Sequence, residues 1–76
     1  MPRRKLRLAL CLNAADFDDL EALKVYPVLP DAAAEDEAML RVIDESGEDY
    51  LYPARHFVFV QLPPAAERAL TSHARA

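Results

Sequence analysis

The segment from Leu40 to Pro53 constrains the fold of this chain more than any other. Two β-like runs lie on either side of an Asp-Glu-Ser-Gly-Glu turn, which holds the only glycine of the sequence, Gly47. Glycine at that point suits a tight turn that needs a positive φ angle. Pro53, the corner 54–56 and the apolar run 57–60 follow. The sequence therefore predicts a β-hairpin, a 3₁₀-like corner and a closing strand.

The rest of the chain supplies further strands and a helix. Residues 5–12 carry leucine at every even position, and this period of two predicts a strand with its leucine face buried. A helix is the alternative, because leucine is a mediocre strand former. The other predicted elements are an acidic loop over 13–21, strands over 23–29, 38–44, 49–52 and 57–62, a helical turn over 32–37 capped by Asp31, and a helix from Pro63-Pro64 to about Ser72. The predicted core is Leu8, Leu10, Val25, Ile43, Leu51 and Phe57.

Length and composition limit the class of protein. The chain has 76 residues, of which 53% are apolar, so we expect one folded domain. Cys11 is the only cysteine, which excludes an intramolecular disulfide and a multi-cysteine zinc site and favours a reducing, cytoplasmic location. No apolar run reaches the roughly 18–20 residues that cross a bilayer, so no membrane association is expected.

Charge is distributed unevenly along the chain. The net charge is −4, yet Arg3, Arg4, Lys5 and Arg7 supply four of the nine basic residues. An acidic body repels phosphate backbones, so nucleic-acid binding would depend on this N-terminal arm. A nucleic-acid partner is therefore not expected, and a regulator that binds nucleic acid through the arm is the alternative function.

The order of these elements resembles an SH3-like barrel. The likeness is most specific over 40–57, where a strand, a distal hairpin, an apolar pair before Pro53, a 3₁₀ turn and a closing Phe57 follow one another, and the loop 13–21 stands where that family has a long acidic loop. The chain also resembles a group of small, uncharacterised bacterial proteins over residues 6–70. The resemblance implies a mainly β fold: a basic arm over 1–5, a five-stranded SH3-like barrel over 6–62, and a short helix with a frayed tail over 63–76.

Departures from the SH3 pattern decide what the resemblance can transfer. Peptide-binding SH3 domains hold polyproline between aromatic side chains. Here Leu40 replaces the groove tryptophan, His56 replaces the groove tyrosine, and the chain has no tryptophan. Only Pro53 matches the groove, so classical recognition of proline-rich peptides is expected to be absent.

Reactive groups are too few for an enzyme. Cys11 could act with His56 as a thiol–imidazole pair, but an apolar strand would raise the thiol pKa and blunt it. His56 is better interpreted as a structural histidine at the corner. The acidic hairpin residues do not have EF-hand spacing, and no phosphate loop or nucleophile elbow is present. We predict no enzymatic activity, no cofactor and no metal.

What remains is an interaction surface. Acidic loop residues could pair with a basic partner segment, the two tyrosines of the fourth strand share one face, and the last strand is apolar on both faces. That strand needs cover from the C-terminal helix or from another molecule; the spacing of Ala66, Ala69 and Leu70 favours the helix. We predict a non-enzymatic module that binds a protein partner or self-associates, through Asp16, Asp18, Asp19, Tyr50, Tyr52, His56, Val58 and Val60.

Overall fold

The computed structural model describes the backbone of residues 7–75 and the side chains of residues 7–69. The predicted basic arm, residue Leu6, and the side chains of Leu70 and His73 lie outside these described residues. The elements are β1 (Arg7–Cys11), β2 (Val25–Leu29), α1 (Ala32–Asp36), β3 (Met39–Ile43), β4 (Asp49–Pro53), the 3₁₀ turn Ala54–His56, β5 (Phe57–Val60) and α2 (Pro64–Arg75).

The five strands form one antiparallel sheet in the order β4-β3-β2-β1-β5. The predicted mainly β fold with a short C-terminal helix is therefore confirmed. The sheet does not close on itself, and the closed barrel is not confirmed. Strands β4 and β5 are its two edges, although only the 3₁₀ turn separates them in sequence.

The predicted hairpin joins β3 to β4. Its register runs from Met39 opposite Pro53 to Ile43 opposite Asp49. Gly47 has φ +85° and its N–H donates to the Asp44 C=O at 2.9 Å. A positive φ is the conformation that glycine adopts without a steric penalty.

The core lies on the inner face of the sheet. It comprises Ala9, Cys11, Leu20, Tyr26, Val28, Leu40, Val42, Tyr52 and Phe57. Leu20 comes from the loop between β1 and β2, and Phe17 from the same loop packs against this cluster. The Phe17 ring meets the Tyr52 ring edge-on, with centroids 5.1 Å apart. The acidic loop therefore covers the inner face.

The prediction that β1 buries its leucine face was right for Leu8, whereas Leu10 is partly exposed and Leu12 is 48% exposed. The odd positions Ala9 and Cys11 are fully buried in the core, because small side chains there leave room for the large aromatic residues of the same face. Leu8 is also buried, on the outer face. Of the other residues predicted for the core, Phe57 is buried and Leu51 is 43% exposed, while the remaining three are partly exposed: Leu10, Val25 and Ile43.

Helix α2 contacts β2, the strand in which Pro27 lies buried beside Leu8 of β1. Val58 of β5 remains 46% exposed. The expectation that the helix covers Val58 was therefore wrong. The three residues from Gln61 to Pro63 separate β5 from the helix, and α2 meets β2, the middle strand of the sheet.

Candidate functional site

Leu23 adopts a backbone conformation that leucine rarely takes. Its φ angle is +67°. Its N–H donates to the Cys11 C=O at 2.6 Å, and the Cys11 N–H donates to the Lys24 C=O at 2.8 Å. Two residues thus oppose one, with the first in the left-handed region, which is the pattern of a G1 bulge. Glycine normally holds that first position, and a side chain there costs about 1–2 kcal/mol.

The Leu23 side chain receives little packing in return for this strain. It is 75% exposed, so the hydrophobic contribution that a buried leucine makes to stability is largely missing. A strained residue that the core does not require is a feature of binding and catalytic sites. Leu23 has no nucleophilic or acidic group, so it suits binding.

Other aliphatic side chains surround this end of the sheet. The strand register places Val25, Leu10 and Val58 side by side across β2, β1 and β5 on the outer face. Leu12 follows β1, is 48% exposed, and its N–H donates to the His56 C=O at 2.7 Å. We call these four residues and Leu23 the apolar end: Leu10, Leu12, Leu23, Val25 and Val58. Leu12, Leu23 and Val58 are its exposed members, and exposed apolar side chains grouped at one end of a sheet are typical of an interaction site.

Asp44 anchors the hairpin turn to the inner core. Its side chain is buried and accepts hydrogen bonds from the Tyr52 hydroxyl at 2.5 Å, the Ser46 hydroxyl at 2.5 Å and the Ser46 N–H at 2.9 Å. Burial, and then the neighbouring carboxylate, raise the pKa of Tyr52. The hydroxyl therefore stays protonated and acts as a structural donor.

A second tyrosine–carboxylate pair fixes the acidic loop to the hairpin. The Tyr26 hydroxyl donates to Glu45 at 2.6 Å and accepts from the Glu21 N–H at 2.7 Å. Lys24 pairs with the same Glu45 carboxylate, and together with Tyr26 it lowers the pKa of Glu45. The Glu45 N–H also donates to the Asp19 C=O at 2.9 Å. These contacts stabilise the loop that leads into the strained bulge.

The eight predicted site residues fall into separate places. Asp16, Asp18 and Asp19 lie exposed in the loop between β1 and β2, and Asp19 reaches the hairpin through its backbone. Val58 and Val60 lie on the edge strand β5, at the other side of the sheet from β4.

The aromatic members of the predicted set have different surroundings. Tyr50 is 50% exposed and donates to Glu48 at 2.9 Å, a contact that raises the Tyr50 pKa. Tyr52 is buried. The His56 ring meets the Phe17 ring edge-on at 5.5 Å between centroids. Of the predicted residues, Val58 belongs to the apolar end, and His56 borders it through the hydrogen bond from the Leu12 N–H to the His56 C=O.

Sequence reasoning missed Leu12 and Leu23 as candidate residues. Leu12 was assigned to a buried leucine face, and it is exposed because β1 ends at Cys11. Leu23 opens a predicted strand and carries no turn residue beside it. Nothing in its sequence neighbourhood indicates a left-handed conformation.

The thiol that was considered for catalysis, that of Cys11, lies in the core. Cys11 is fully buried, and burial raises the pKa of its thiol, so little thiolate forms near neutral pH. Across residues 7–69, His, Cys, Asp and Glu side chains form no group of three that could hold a metal ion. No helix in that part of the chain combines the length and apolar character needed to cross a membrane.

Arg7, the last residue of the basic cluster, is engaged within the fold. Its guanidinium lies 4.2 Å from the Phe59 ring centroid and pairs with Glu35. Arg3, Arg4 and Lys5 lie outside the described residues.

Searches against protein-family models, curated proteins and solved structures found no match. The geometry of the apolar end therefore carries what can be inferred about function.

Proposed function

We propose that this protein is a non-enzymatic interaction module of SH3-like architecture, acting in the cytoplasm, which binds a protein partner through the apolar end. The architecture is supported by the succession of the β3–β4 hairpin, Pro53, the 3₁₀ turn and Phe57. The acidic loop over the inner face agrees with it as well. The buried single thiol of Cys11 suits a reducing compartment.

The observation that carries the proposal is the strained and exposed Leu23. A glycine at this position would remove the strain, and the core would lose almost nothing, since the side chain is mostly in solvent. The leucine is explained if its side chain is buried by a partner. Neighbouring aliphatic residues then supply the rest of a hydrophobic contact, which is the usual centre of a protein interface.

Proline-rich peptides are not the proposed ligand. Leu40, which replaces the groove tryptophan of SH3 domains, is 4% exposed and belongs to the core. It presents no surface on which a pyrrolidine ring could stack. The apolar end is aliphatic, and it suits aliphatic or aromatic side chains of a folded partner.

The test is capture of partners from the native host with Leu23→Gly compared against the wild-type protein, using quantitative mass spectrometry. We expect at least a roughly tenfold loss of the specific partner, because a central hydrophobic anchor contributes 1.4 kcal/mol or more of binding energy. The free energy of unfolding of Leu23→Gly should be equal to that of the wild type or higher by up to about 1 kcal/mol. The reason is that glycine relieves more backbone strain at this position than it costs in conformational entropy.

Ala38→Gly is the matched control. Among the described residues, Ala38 is the other non-glycine residue with positive φ, +59°, and it lies between α1 and β3, away from the apolar end. The Ala38→Gly substitution should relieve backbone strain in the same way as Leu23→Gly, and the set of captured partners should not change. Equal capture by wild type and Leu23→Gly would refute the proposal.

A further inference from the structure

Residues on both sides of Leu23 connect to one oxygen atom of the β3–β4 hairpin. Lys24, the next residue, places its Nζ 2.5 Å from Glu45 Oε2. Two residues before Leu23, the Glu21 N–H donates to the Tyr26 hydroxyl at 2.7 Å, and this hydroxyl donates to the same Oε2 at 2.6 Å. A single carboxylate oxygen therefore holds the chain on either side of Leu23.

The hairpin is a firm support for this carboxylate. The residue before Glu45 is Asp44, which is buried and accepts a hydrogen bond from the Tyr52 hydroxyl. The Glu45 N–H donates to the Asp19 C=O at 2.9 Å, so the backbone joins the hairpin to the acidic loop as well. A side chain carried by a structure that is anchored in the core keeps its position better than one on a free loop. Glu45 can therefore hold the loop in place.

The contacts of Glu45 matter more for the conformation of Leu23 than for overall stability. The Lys24 and Glu45 side chains are 44% and 32% exposed, and water and salt weaken an ion pair of this kind. The left-handed conformation of Leu23, however, is disfavoured by about fivefold to thirtyfold in population against a negative φ angle. Leu23 keeps its φ of +67° only while the chain on both sides is held.

We infer that Glu45 is a positioning residue for the apolar end: through Lys24 and Tyr26, its carboxylate keeps Leu23 in the exposed, left-handed conformation that the partner recognises. The inference rests on the proposed function, because it names the residue that prepares Leu23 for binding. When the bulge relaxes, the Leu23 side chain changes direction and only the remaining ordered molecules bind. The apparent affinity then falls by the fraction of molecules that stay ordered.

Amide hydrogen exchange of the full chain, followed by NMR, tests the positioning role without a partner. Glu45→Ala should accelerate exchange of the Leu23 N–H, which donates to the Cys11 C=O, by about fivefold or more. The Ala54 N–H is the reference, since it donates to the Ala38 C=O at 2.8 Å at the start of the 3₁₀ turn. Its exchange should not change. Equal acceleration of both amides would indicate a global loss of stability and would overturn the positioning role.

Capture of partners from the native host measures the consequence for binding. Glu45→Ala should lower the captured amount by about fivefold or more, in proportion to the loss of ordered Leu23. Glu45→Gln should stay within about twofold of the wild type, because its amide oxygen still accepts hydrogen bonds from the Tyr26 hydroxyl and from Lys24. Rescue by this conservative variant separates the role of the oxygen atom from that of the charge.

Glu48→Ala is the matched control. Glu48 is exposed in the same hairpin and also accepts a hydrogen bond from a tyrosine hydroxyl, that of Tyr50 at 2.9 Å. Tyr50 lies on β4 and does not flank Leu23. Glu48→Ala should therefore change neither the exchange of the Leu23 N–H nor the capture of partners.

Wild-type exchange of the Leu23 N–H in Glu45→Ala would overturn the inference. Wild-type capture by Glu45→Ala, in an assay where Leu23→Gly loses the partner, would also overturn it and would leave the proposed function standing. Equal capture by the wild type and Leu23→Gly would instead refute the proposed function, and the exchange experiment would still decide whether Glu45 holds the bulge.

Discussion

Single hydroxyl groups hold the hairpin of this protein to its core. Tyr52 and Tyr50 are two residues apart on β4, yet their hydroxyls bond carboxylates of very different burial. The Tyr52 hydroxyl donates a hydrogen bond to the buried Asp44, whereas the Tyr50 hydroxyl donates to the exposed Glu48. Removal of a donor from a buried carboxylate leaves part of its desolvation cost uncompensated. The two tyrosines should therefore contribute unequally to stability.

Tyr52→Phe should lower the free energy of unfolding by about 1.5–3 kcal/mol, because the buried Asp44 loses one of its hydrogen bonds while the ring still fills the core. Tyr50→Phe should stay within about 0.5 kcal/mol of wild type, as its partner is in water. Urea denaturation followed by circular dichroism measures both. Equal losses for the two variants would mean that Asp44 does not depend on Tyr52.

Individual residues also show where sequence reasoning ends. Gly47 and Pro53 could be placed correctly because glycine and proline have strong backbone preferences that act locally. Leu23 could not, because its φ angle results from tertiary hydrogen bonds to Cys11 rather than from its own preference. Leu23, the central residue of the candidate site, could therefore not be predicted from the sequence.

The strands differ in how much their sequence pattern reveals. In β1 both faces are buried next to one another at Leu8 and Ala9, so alternation of leucine could not identify the core side. In β5 the buried residue is Phe57, and its neighbour Val58 faces outward. The existence of these strands could be predicted from the two-residue period of apolar side chains and from the glycine and proline residues between the strands. The face of β1 required knowledge of what packs above and below it.

Phe57→Ala should cost about 3–5 kcal/mol, a large part of the stability of a domain of this size, because the ring packs in the core beside Tyr52. Val58→Ala, one residue further along β5, should cost less than about 1 kcal/mol because Val58 is half exposed. Chemical denaturation at low protein concentration measures both. A soluble, cooperative Phe57→Ala variant that loses under about 1 kcal/mol would show that Phe57 is not a core residue.

At the scale of the whole molecule, one arginine joins α1, β3 and β4. Arg41 of β3 donates to Asp31, the N-cap of α1, at 2.8 Å and to Asp49 of β4 at 3.0 Å. Asp31 also accepts from the Ala34 N–H at 3.0 Å. This backbone hydrogen bond, and then Arg41, lower the pKa of Asp31 below 3.8. The ionised carboxylate thus stabilises the folded state.

Stability should therefore decrease in acid. A carboxyl group whose pKa is lower in the folded state stabilises the protein above its unfolded pKa, here 3.8, and this stabilisation is lost as the pH falls through the lower folded value. We expect urea midpoints to fall as the pH is lowered below about 4, and less steeply in Asp31→Asn, since asparagine still caps the helix but does not titrate. An identical pH dependence for the variant and wild type would mean that Asp31 titrates as in the unfolded chain.

At the bulge position Leu23, stability and binding favour different residues. Selection for resistance to heat or protease would favour glycine there, as it would at Ala38, since both residues hold positive φ angles. At Ala38 such a change costs the protein nothing that we can identify, whereas at Leu23 it would remove the exposed side chain. A stabilised scaffold made from this domain would therefore be a poorer binder, and a library screened for robustness alone would discard the residue that we expect the partner to recognise.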